Sequence, residues 1–447
     1  MRLMLIQPGM GTRQRGGFVD KTALEPLQLG ILGGMTPRNI QLELYDDRLE
    51  SMPYGISAEL VVIWVETLTA RRAYEISGGF RRRGNKVLLC GPHVTFLPQE
   101  AEDYADSLIC GEASSQWKQM LSDLSKGKLK PMYNGDGEKP LQKGILPRRE
   151  IYGRKKYLPI TPVQFGAGCK HRCIHCTAGS SKYRCRDAAD VVKELRAQKR
   201  KRILFVDDNI VADREKAKEL FRQLIPLKLR WFARCSIDVV EDEELLKLMV
   251  KSGCFGLNIG FDSIRPDSLR ELNKRVNLKH VEHWYQNGVR KLREKGLLIW
   301  GDFTLGQDAD TVGSIRATCQ IAKEYKLGFA RFRVLRPCPG TELYRRLQEE
   351  GRLLYDGTWW LHSQYRYHYA TVAPEKMTAA ELTEVVSHCT REFHSFEFMV
   401  SRFFANMRKP AAAFAYLRFA GLLRKTVLSR QDMTFGYIEK DRARRKK

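Results

Sequence analysis

Residues 166–179 read GAGCKHRCIHCTAG, which places three cysteines within eight positions of a chain that has eleven in all. The spacing Cys169-x3-Cys173-x2-Cys176 is too tight for a zinc ribbon, which needs two separated cysteine pairs, and it offers three thiolates where a closed structural site wants four. Three cysteines folded around one turn can hold three corners of a cubane [4Fe-4S] cluster and leave the fourth iron open to an exogenous ligand. A zinc site completed by His171 or His175 is the alternative. An open iron implies chemistry, so the surrounding chain has to supply what that iron works on.

Working outward, the loop follows the first of six apolar runs between about 160 and 350: PVQFGAG, RILFVDDN, RWFARCS, CFGLNIGF, LLIWGDFTL and FARFRVL. Helix-period patterns such as RDAADVVKELRAQ and DEELLKLMVKSG separate them. Six such units in about 190 residues predict a partial (β/α)6 barrel, because a complete eight-unit barrel needs about 250 residues. The cysteines then sit at the carboxyl end of the first strand, where barrels keep their chemistry. Upstream, residues 1–125 alternate short apolar runs with amphipathic stretches (LMLIQP, IQLELYD, LVVIWVET, KVLLCG, DSLICGEA) and predict a doubly wound, Rossmann-like α/β domain. Residues 126–158, rich in Gly, Pro and charge, read as a linker. Barrel strands and helices fill 159–350, and 351–447 reads as a mostly helical, basic C-terminal region.

The bulk properties bound the function. With 447 residues and 43% hydrophobic content the chain can fill two or more cores. No stretch reaches the roughly 18 apolar residues of a membrane-spanning helix, and the N-terminus lacks a signal-peptide pattern, so a cytoplasmic protein is expected. An odd number of cysteines in such a chain suits reduced thiols and metal ligands better than a disulfide framework. The formal charge of +25 favours an anionic associate: nucleic acid, a lipid surface or an acidic substrate. From Arg402 to Lys447 there are thirteen basic and three acidic residues, so much of the excess lies in the tail. There Met407–Leu428 pairs aromatic and aliphatic residues with Arg and Lys, as an interfacial helix would for peripheral membrane association; a helix packed on the barrel is the alternative. Nucleic-acid binders show a basic groove with interleaved aromatics rather than a basic tail.

The cysteine loop resembles the signature of the radical S-adenosylmethionine superfamily, in which this C-x3-C-x2-C loop follows the first strand of a partial barrel. In that family the amino and carboxylate groups of S-adenosylmethionine chelate the open iron, and an electron from the cluster cleaves the sulfonium to a 5′-deoxyadenosyl radical. The family usually has an aromatic residue before the third cysteine, where this chain has His175. The resemblance implies further contacts to S-adenosylmethionine. In FVDDNIVAD, Asp207, Asp208 and Asn209 stand where the family has Gly-Gly-Glu holding the ammonium, a task that suits acceptor side chains; the alternative is an acidic loop capping the next helix through Asp213. In SGCFGLNIGFDS, Asp262 replaces the usual glutamate. Phe165 and Ser236, at the ends of the first and third barrel strands, complete the set. RVLRPCPGTELY resembles the family's closing strand and turn, with Cys338 an unusual thiol within it.

The N-terminal text GPHVTFLPQEA followed by DSLICGEA resembles the cobalamin-binding domain that precedes the barrel in cobalamin-dependent members. That likeness implies corrinoid contacts at Thr67, Thr69, Gly91, His93, Val94, Thr95, Gly111 and Glu112, the glycines letting backbone approach a large ring. In place of the Asp-x-His-x-x-Gly of the histidine-ligated type, the segment after the first strand reads QPGMGTRQRGG, so a cobalamin without a histidine ligand is implied. The reaction implied is methylation of an unactivated carbon: the adenosyl radical takes a hydrogen and methylcobalamin supplies the methyl group, with an external low-potential electron donor. A radical cyclase or rearrangement catalyst without methyl transfer, and an iron-sulfur nucleic-acid-binding or redox-sensing protein, are the alternatives. The organic substrate is of unknown class, and the basic tail leans toward a lipid.

Overall fold

The computed structural model describes residues 1–11, 22–137, 141, 144–180, 182–279, 281, 284–406, 420, 421 and 424. The chain forms two compact units, one holding Met1–Leu158 and Thr358–Tyr367, the other Pro159–Gly357 and the described residues from His368 onward.

In the first unit β1 (Arg2–Gln7), β2 (Gln41–Asp46), β3 (Leu60–Trp64), β4 (Val87–Cys90), β5 (Ser107–Cys110) and β6 (Met132–Asn134) form one sheet in the order β2-β1-β3-β4-β5-β6. Every pairing is parallel. The runs Leu3–Ile6, Leu60–Ile63 and Val87–Cys90 are buried along their whole length, as strands covered on both faces must be. The chain passes from β2 back over β1 to β3, so the strand order reverses between β1 and β3, where a doubly wound sheet opens its ligand crevice.

The stretch 126–158, expected to be a linker, instead completes this unit. Residues 132–134 supply the sixth strand, and Tyr152 is buried with its hydroxyl donating to the Pro26 carbonyl at 3.3 Å. Three residues between Pro131 and Gly135 are too few to display a period of two, which hid the strand among the turn residues. The region from 351 also divides: Thr358–Tyr367 returns to the first unit, and the helix Ala379–Phe393 packs into the core of the second.

The second unit holds β7 (Thr161–Val163), the short antiparallel pair β8 (Gly166–Ala167) and β9 (Arg184–Cys185), then β10 (Arg202–Phe205), β11 (Arg230–Cys235), β12 (Cys254–Asp262), β13 (Leu298–Leu305) and β14 (Phe329–Val334). Apart from the short pair, the strands lie parallel in sequential order from β7 to β14 with helices between them, an open (β/α)6 barrel. Alternate residues face the helices: Ala233, Leu257, Ile259, Ile299, Phe303, Ala330 and Phe332 share a core with Val191, Phe221, Leu245, Leu292 and Ile315. Among the described residues no helix is long and apolar enough to cross a membrane. Of the helix expected at Met407–Leu428 only Ala420, Gly421 and Arg424 are described, all three helical, with Ala420 packed beside Phe329 and Met399; its other residues, and most of QPGMGTRQRGG, lie outside the described residues.

Candidate functional site

The cysteine loop leaves β8 and is held in shape by backbone bonds to several elements. Cys169 N–H donates to Ala178 O at 3.1 Å, Cys176 N–H to Cys173 O at 3.1 Å, Ile174 N–H to Leu272 O at 3.2 Å and Leu343 N–H to Ile174 O at 3.0 Å. The Asn273 amide donates to Arg172 O at 2.7 Å. Gly179 is required by close approach, since a Cβ there would stand 2.6 Å from His171 O. The thiols are graded in exposure, Cys173 buried, Cys169 half-buried and Cys176 exposed. Burial pushes the Cys173 thiol up to about 11 and that of Cys169 upward, with the neighbouring Cys176 thiol adding to both. The backbone N–H of His171 acts the other way on the Cys169 sulfur. Among the described residues no three His, Cys, Asp or Glu side chains converge on the position of one ion. A cluster asks each thiolate for its own iron, and three thiols on one loop match that donor set.

Beside the loop stands a buried ion pair that the sequence pattern did not reveal. Lys274 Nζ lies 2.5 Å from Asp262 Oδ2, while Asp262 Oδ1 accepts from the Thr304 hydroxyl at 3.1 Å and lies 3.9 Å from His175 Nε2. Burial disfavours both charges, but the partners outweigh it: Lys274 holds the Asp262 carboxyl well below its ordinary range, and Asp262 holds the Lys274 ammonium above its own. Asp262 sits at φ 59° where the β12–β13 register slips by one residue. That bulge aims its side chain at the loop. Burial pushes His175 down to about 4, and its Nδ1 is buried without a hydrogen-bond partner. The position that is aromatic in the resembled family is here a neutral imidazole.

The acidic segment after β10 does more structural work than expected. Asp207 is buried and accepts from the backbone N–H groups of Gly166 and Phe165, the latter at 3.2 Å, so both its oxygens tie the start of the cysteine loop to β10. Burial pushes its carboxyl up to about 7 against those donors. Asp208 accepts from Gly168 N–H at 3.2 Å. Asn209 donates to the Ser236 hydroxyl at 3.0 Å and accepts from the N–H groups of Val211 and Ser236, each at 3.3 Å. Asp213 caps the helix Arg214–Leu224 through Lys216 N–H. Asp208, half-buried, and Ser236 keep an open side. Asp207 and Asn209 bond inward and shape the loop. Phe165 is a buried core residue on the strand side of that loop.

In the first unit the expected corrinoid contacts gather at the carboxyl ends of β3, β4 and β5, but several are already spoken for. His93 is fully buried, with Nδ1 3.3 Å from the Thr67 hydroxyl and Nε2 2.9 Å from Glu100 Oε1. Glu100 also accepts from Tyr74 at 2.7 Å and from the Trp360 indole at 3.0 Å. His93 is thus the centre of a packed network rather than a free ligand contact, as the requirement to satisfy a buried ring dictates. The glycines have a similar explanation. At φ 115°, Gly91 lies so near Val65 that a Cβ would stand 2.6 Å from its carbonyl, and at φ 80° Gly111 meets Gly135 O at 2.3 Å. Neighbouring backbone, rather than a ring, demands them. Thr95 links the two by donating to Gly91 O and accepting from Gly111 N–H, both at 2.9 Å. Val94 is buried, Thr69 closes a capping box with Glu66, and Glu112 accepts from Ser114 at 2.9 Å. Thr67, beside the reversal of strand order, is half-buried at the crevice.

Against known proteins, residues 163–321 match the Radical SAM superfamily profile. The bacteriochlorophyllide d C-12(1)-methyltransferase of Chlorobaculum tepidum is 29% identical over 88% of this chain and 87% of that enzyme. The bacteriochlorophyllide d C-8(2)-methyltransferase of the same organism is 28% identical over 73% of this chain and 76% of that enzyme. Among solved structures, the radical S-adenosylmethionine methyltransferase TsrM from Kitasatospora setae, with tryptophan substrate and an S-adenosylmethionine analogue bound, superposes with a TM-score of 0.63 at 20% identity, covering 78% of this chain and 76% of that one. The cobalamin-dependent S-adenosylmethionine radical enzyme OxsB gives 0.66 at 12% identity over 96% of this chain and 71% of that one. At these identities the two structures speak for the fold.

Proposed function

We propose that this chain, which belongs to the radical S-adenosylmethionine superfamily, is a cobalamin-dependent C-methyltransferase that acts on an unactivated carbon of an organic substrate. The observation that carries the reading is the C-x3-C-x2-C loop at the carboxyl end of the first barrel strand, inside the region matched by the family. It is joined by 29% identity, across nearly the whole chain, to a methyltransferase. When bound, the [4Fe-4S] cluster, S-adenosylmethionine and cobalamin supply the radical and the methyl group.

The chain's own residues divide the remaining work. Cys169, Cys173 and Cys176 are the cluster ligands. Asp207 fixes the entry to their loop, and Asp208 and Ser236 face the bound cofactor. Lys274 and Asp262 form a fixed dipole beside the cluster and limit the water around it. In the N-terminal unit the crevice lined by Thr67 is the corrinoid site, and the His93 network keeps the loop after β4 rigid beneath it. An external low-potential donor delivers the electron. For the substrate, the two bacteriochlorophyllide methyltransferases favour a conjugated macrocyclic acid; of the basic tail that suggested a lipid, Arg402 and Arg424 are bonded to backbone carbonyls of the second unit and most of the rest lies outside the described residues.

Anaerobic reconstitution with iron, sulfide and cobalamin, followed by a product assay with bacteriochlorophyllide d, tests this. The expected products are S-adenosylhomocysteine together with 5′-deoxyadenosine. Deoxyadenosine alone would point to a cyclase or rearrangement enzyme. In Cys173→Ala the iron-sulfur absorption and turnover should be lost while cobalamin stays bound; a persisting cluster would overturn the ligand assignment.

A further inference from the structure

The barrel face turned away from the helices carries a charge pattern that neither the cluster loop nor the fold explains. Residues that alternate with the helix-side core line it, and the strand register sets them in rows. Arg234 pairs across to Asn258, Asn258 to Trp300 and Trp300 to Phe329; one step toward the carboxyl ends Gly260 faces Asp302 and Asp302 faces Arg331; one step further Thr304 faces Arg333. Three guanidinium groups thus share one concave face with Asp302, while the carboxylate at its upper edge, Asp262, is held by Lys274 and the Thr304 hydroxyl.

Asp302 is already taken as well. Arg331 holds Asp302 in a two-pronged grip, Nε at 3.0 Å and Nη2 at 2.5 Å, whereas Arg333 reaches it only at 4.0 Å. Arg234 donates to the neutral Asn258 at 3.2 Å. Arg333 Nε is buried without a hydrogen-bond partner, yet 40% of the side chain is open. Burial, then the adjacent Arg331 and Arg234, push its pKa downward, and Asp302 and Asp262 only partly offset them. Three cations crowded on a concave wall repel one another unless an anion joins them, and a guanidinium matches a carboxylate in shape as well as in charge. The row below is aromatic, with the rings of Trp300 and Phe329 at 5.5 Å and those of Trp300 and Phe232 at 6.5 Å. Gly260 contributes no side chain of its own to the wall, and the Lys274 ammonium stands 3.3 Å from where its Cβ would be.

We propose that Arg333, supported by Arg234 on the same face, is the docking point for a carboxylate of the organic substrate, which enters acid end first and leaves its apolar body toward the cysteine loop. The proposal rests on the reading of the chain as a radical methyltransferase whose substrate occupies the barrel. It explains why the wall carries more positive charge than its own acids neutralise, and it makes an acid rather than its ester the preferred substrate.

The test compares binding of bacteriochlorophyllide d and of its methyl ester to the reconstituted protein, followed by tryptophan quenching, with S-adenosylmethionine affinity measured in parallel by equilibrium dialysis. Wild type should bind the acid about tenfold more tightly than the ester. Arg333→Gln should lose that preference, Arg333→Lys should recover part of it, and S-adenosylmethionine affinity should change by less than about twofold in both. Thermal melts of the two variants confirm folding, and Arg234→Gln gives an independent, smaller loss of the same preference. Equal binding of acid and ester by wild type, an unchanged preference in Arg333→Gln, or a weakened S-adenosylmethionine affinity with the acid preference intact would each overturn the proposal, the last by assigning the arginine to the cofactor's carboxylate. A wild type that forms neither S-adenosylhomocysteine nor deoxyadenosine sinks the functional reading instead, and the acid–ester comparison, which needs no turnover, still decides this one.

Discussion

Both sheets end their strands in loops crowded with polar residues, but the two sets of loops spend those groups differently. After β3, β4 and β5 of the N-terminal unit they bond to one another: His93 to Thr67 and Glu100, Thr95 to Gly91 and Gly111. At the barrel's strand ends only part of the set is consumed in this way. Asp207 and Asn209 are bonded inward, whereas the Nδ1 of His175 and the Nε of Arg333 have no hydrogen-bond partner. In the first unit the polar residues bond to one another and build a closed rim at the strand ends. In the second, specific polar atoms are left without a hydrogen-bond partner in the protein. The same residue types therefore signal architecture in one place and chemistry in the other, and counting partners separates the two.

Three substitutions bear on that contrast. The largest effect is expected at Asp207, where Asp207→Ala strips two buried backbone donors of their acceptor. A stability loss of about 3 kcal/mol in chemical denaturation, together with weakened cluster retention, is expected. Full stability in that variant would mean that the barrel loop does not depend on an inward-bonded anchor. Next comes Gly91→Ala, which combines a left-handed φ with backbone contact to Val65 and should cost about 2 kcal/mol. If it lowered cobalamin affinity without any loss of stability, the glycine would belong to the ligand after all. The smallest is Glu100→Gln. Burial works to raise the Glu100 carboxyl, but hydrogen bonds from His93 and Tyr74 outweigh it and hold it below its ordinary 4.5. A carboxylate depressed in the folded state contributes stability above that pH and loses it as pH falls through the lowered value. The variant should be about 1 kcal/mol less stable at neutral pH and should show a shallower decline in melting temperature below about pH 4.5.

Much of this was legible in the sequence because it depended on local pattern. The apolar runs marked five of the six N-terminal strands and all six barrel strands, and the cysteine spacing marked the site at the end of the first of these. What stayed hidden depended on register and distance. Lys274 lies twelve positions after Asp262, and only the bulge in β12 shows that their side chains meet. Arg234, Arg331 and Arg333 are unremarkable charges along two strands until the sheet register aligns them on one face. His93 looked like a binding residue because nothing local announces Glu100 and Trp360 as its enclosure. Residues 132–134 were too few to carry a period at all.

The return of Thr358–Tyr367 to the first unit has a consequence for how the protein is made. The indole of Trp360 is one of the donors that complete the Glu100 network, yet roughly two hundred residues of barrel separate it from Leu158. At ribosomal speeds of about 5–20 residues per second, the nascent N-terminal unit waits on the order of 10–40 s before its last piece emerges. During that interval His93 and Glu100 have Tyr74 but lack the Trp360 indole, so the growing chain carries an unfinished network until the ribosome has nearly completed the barrel.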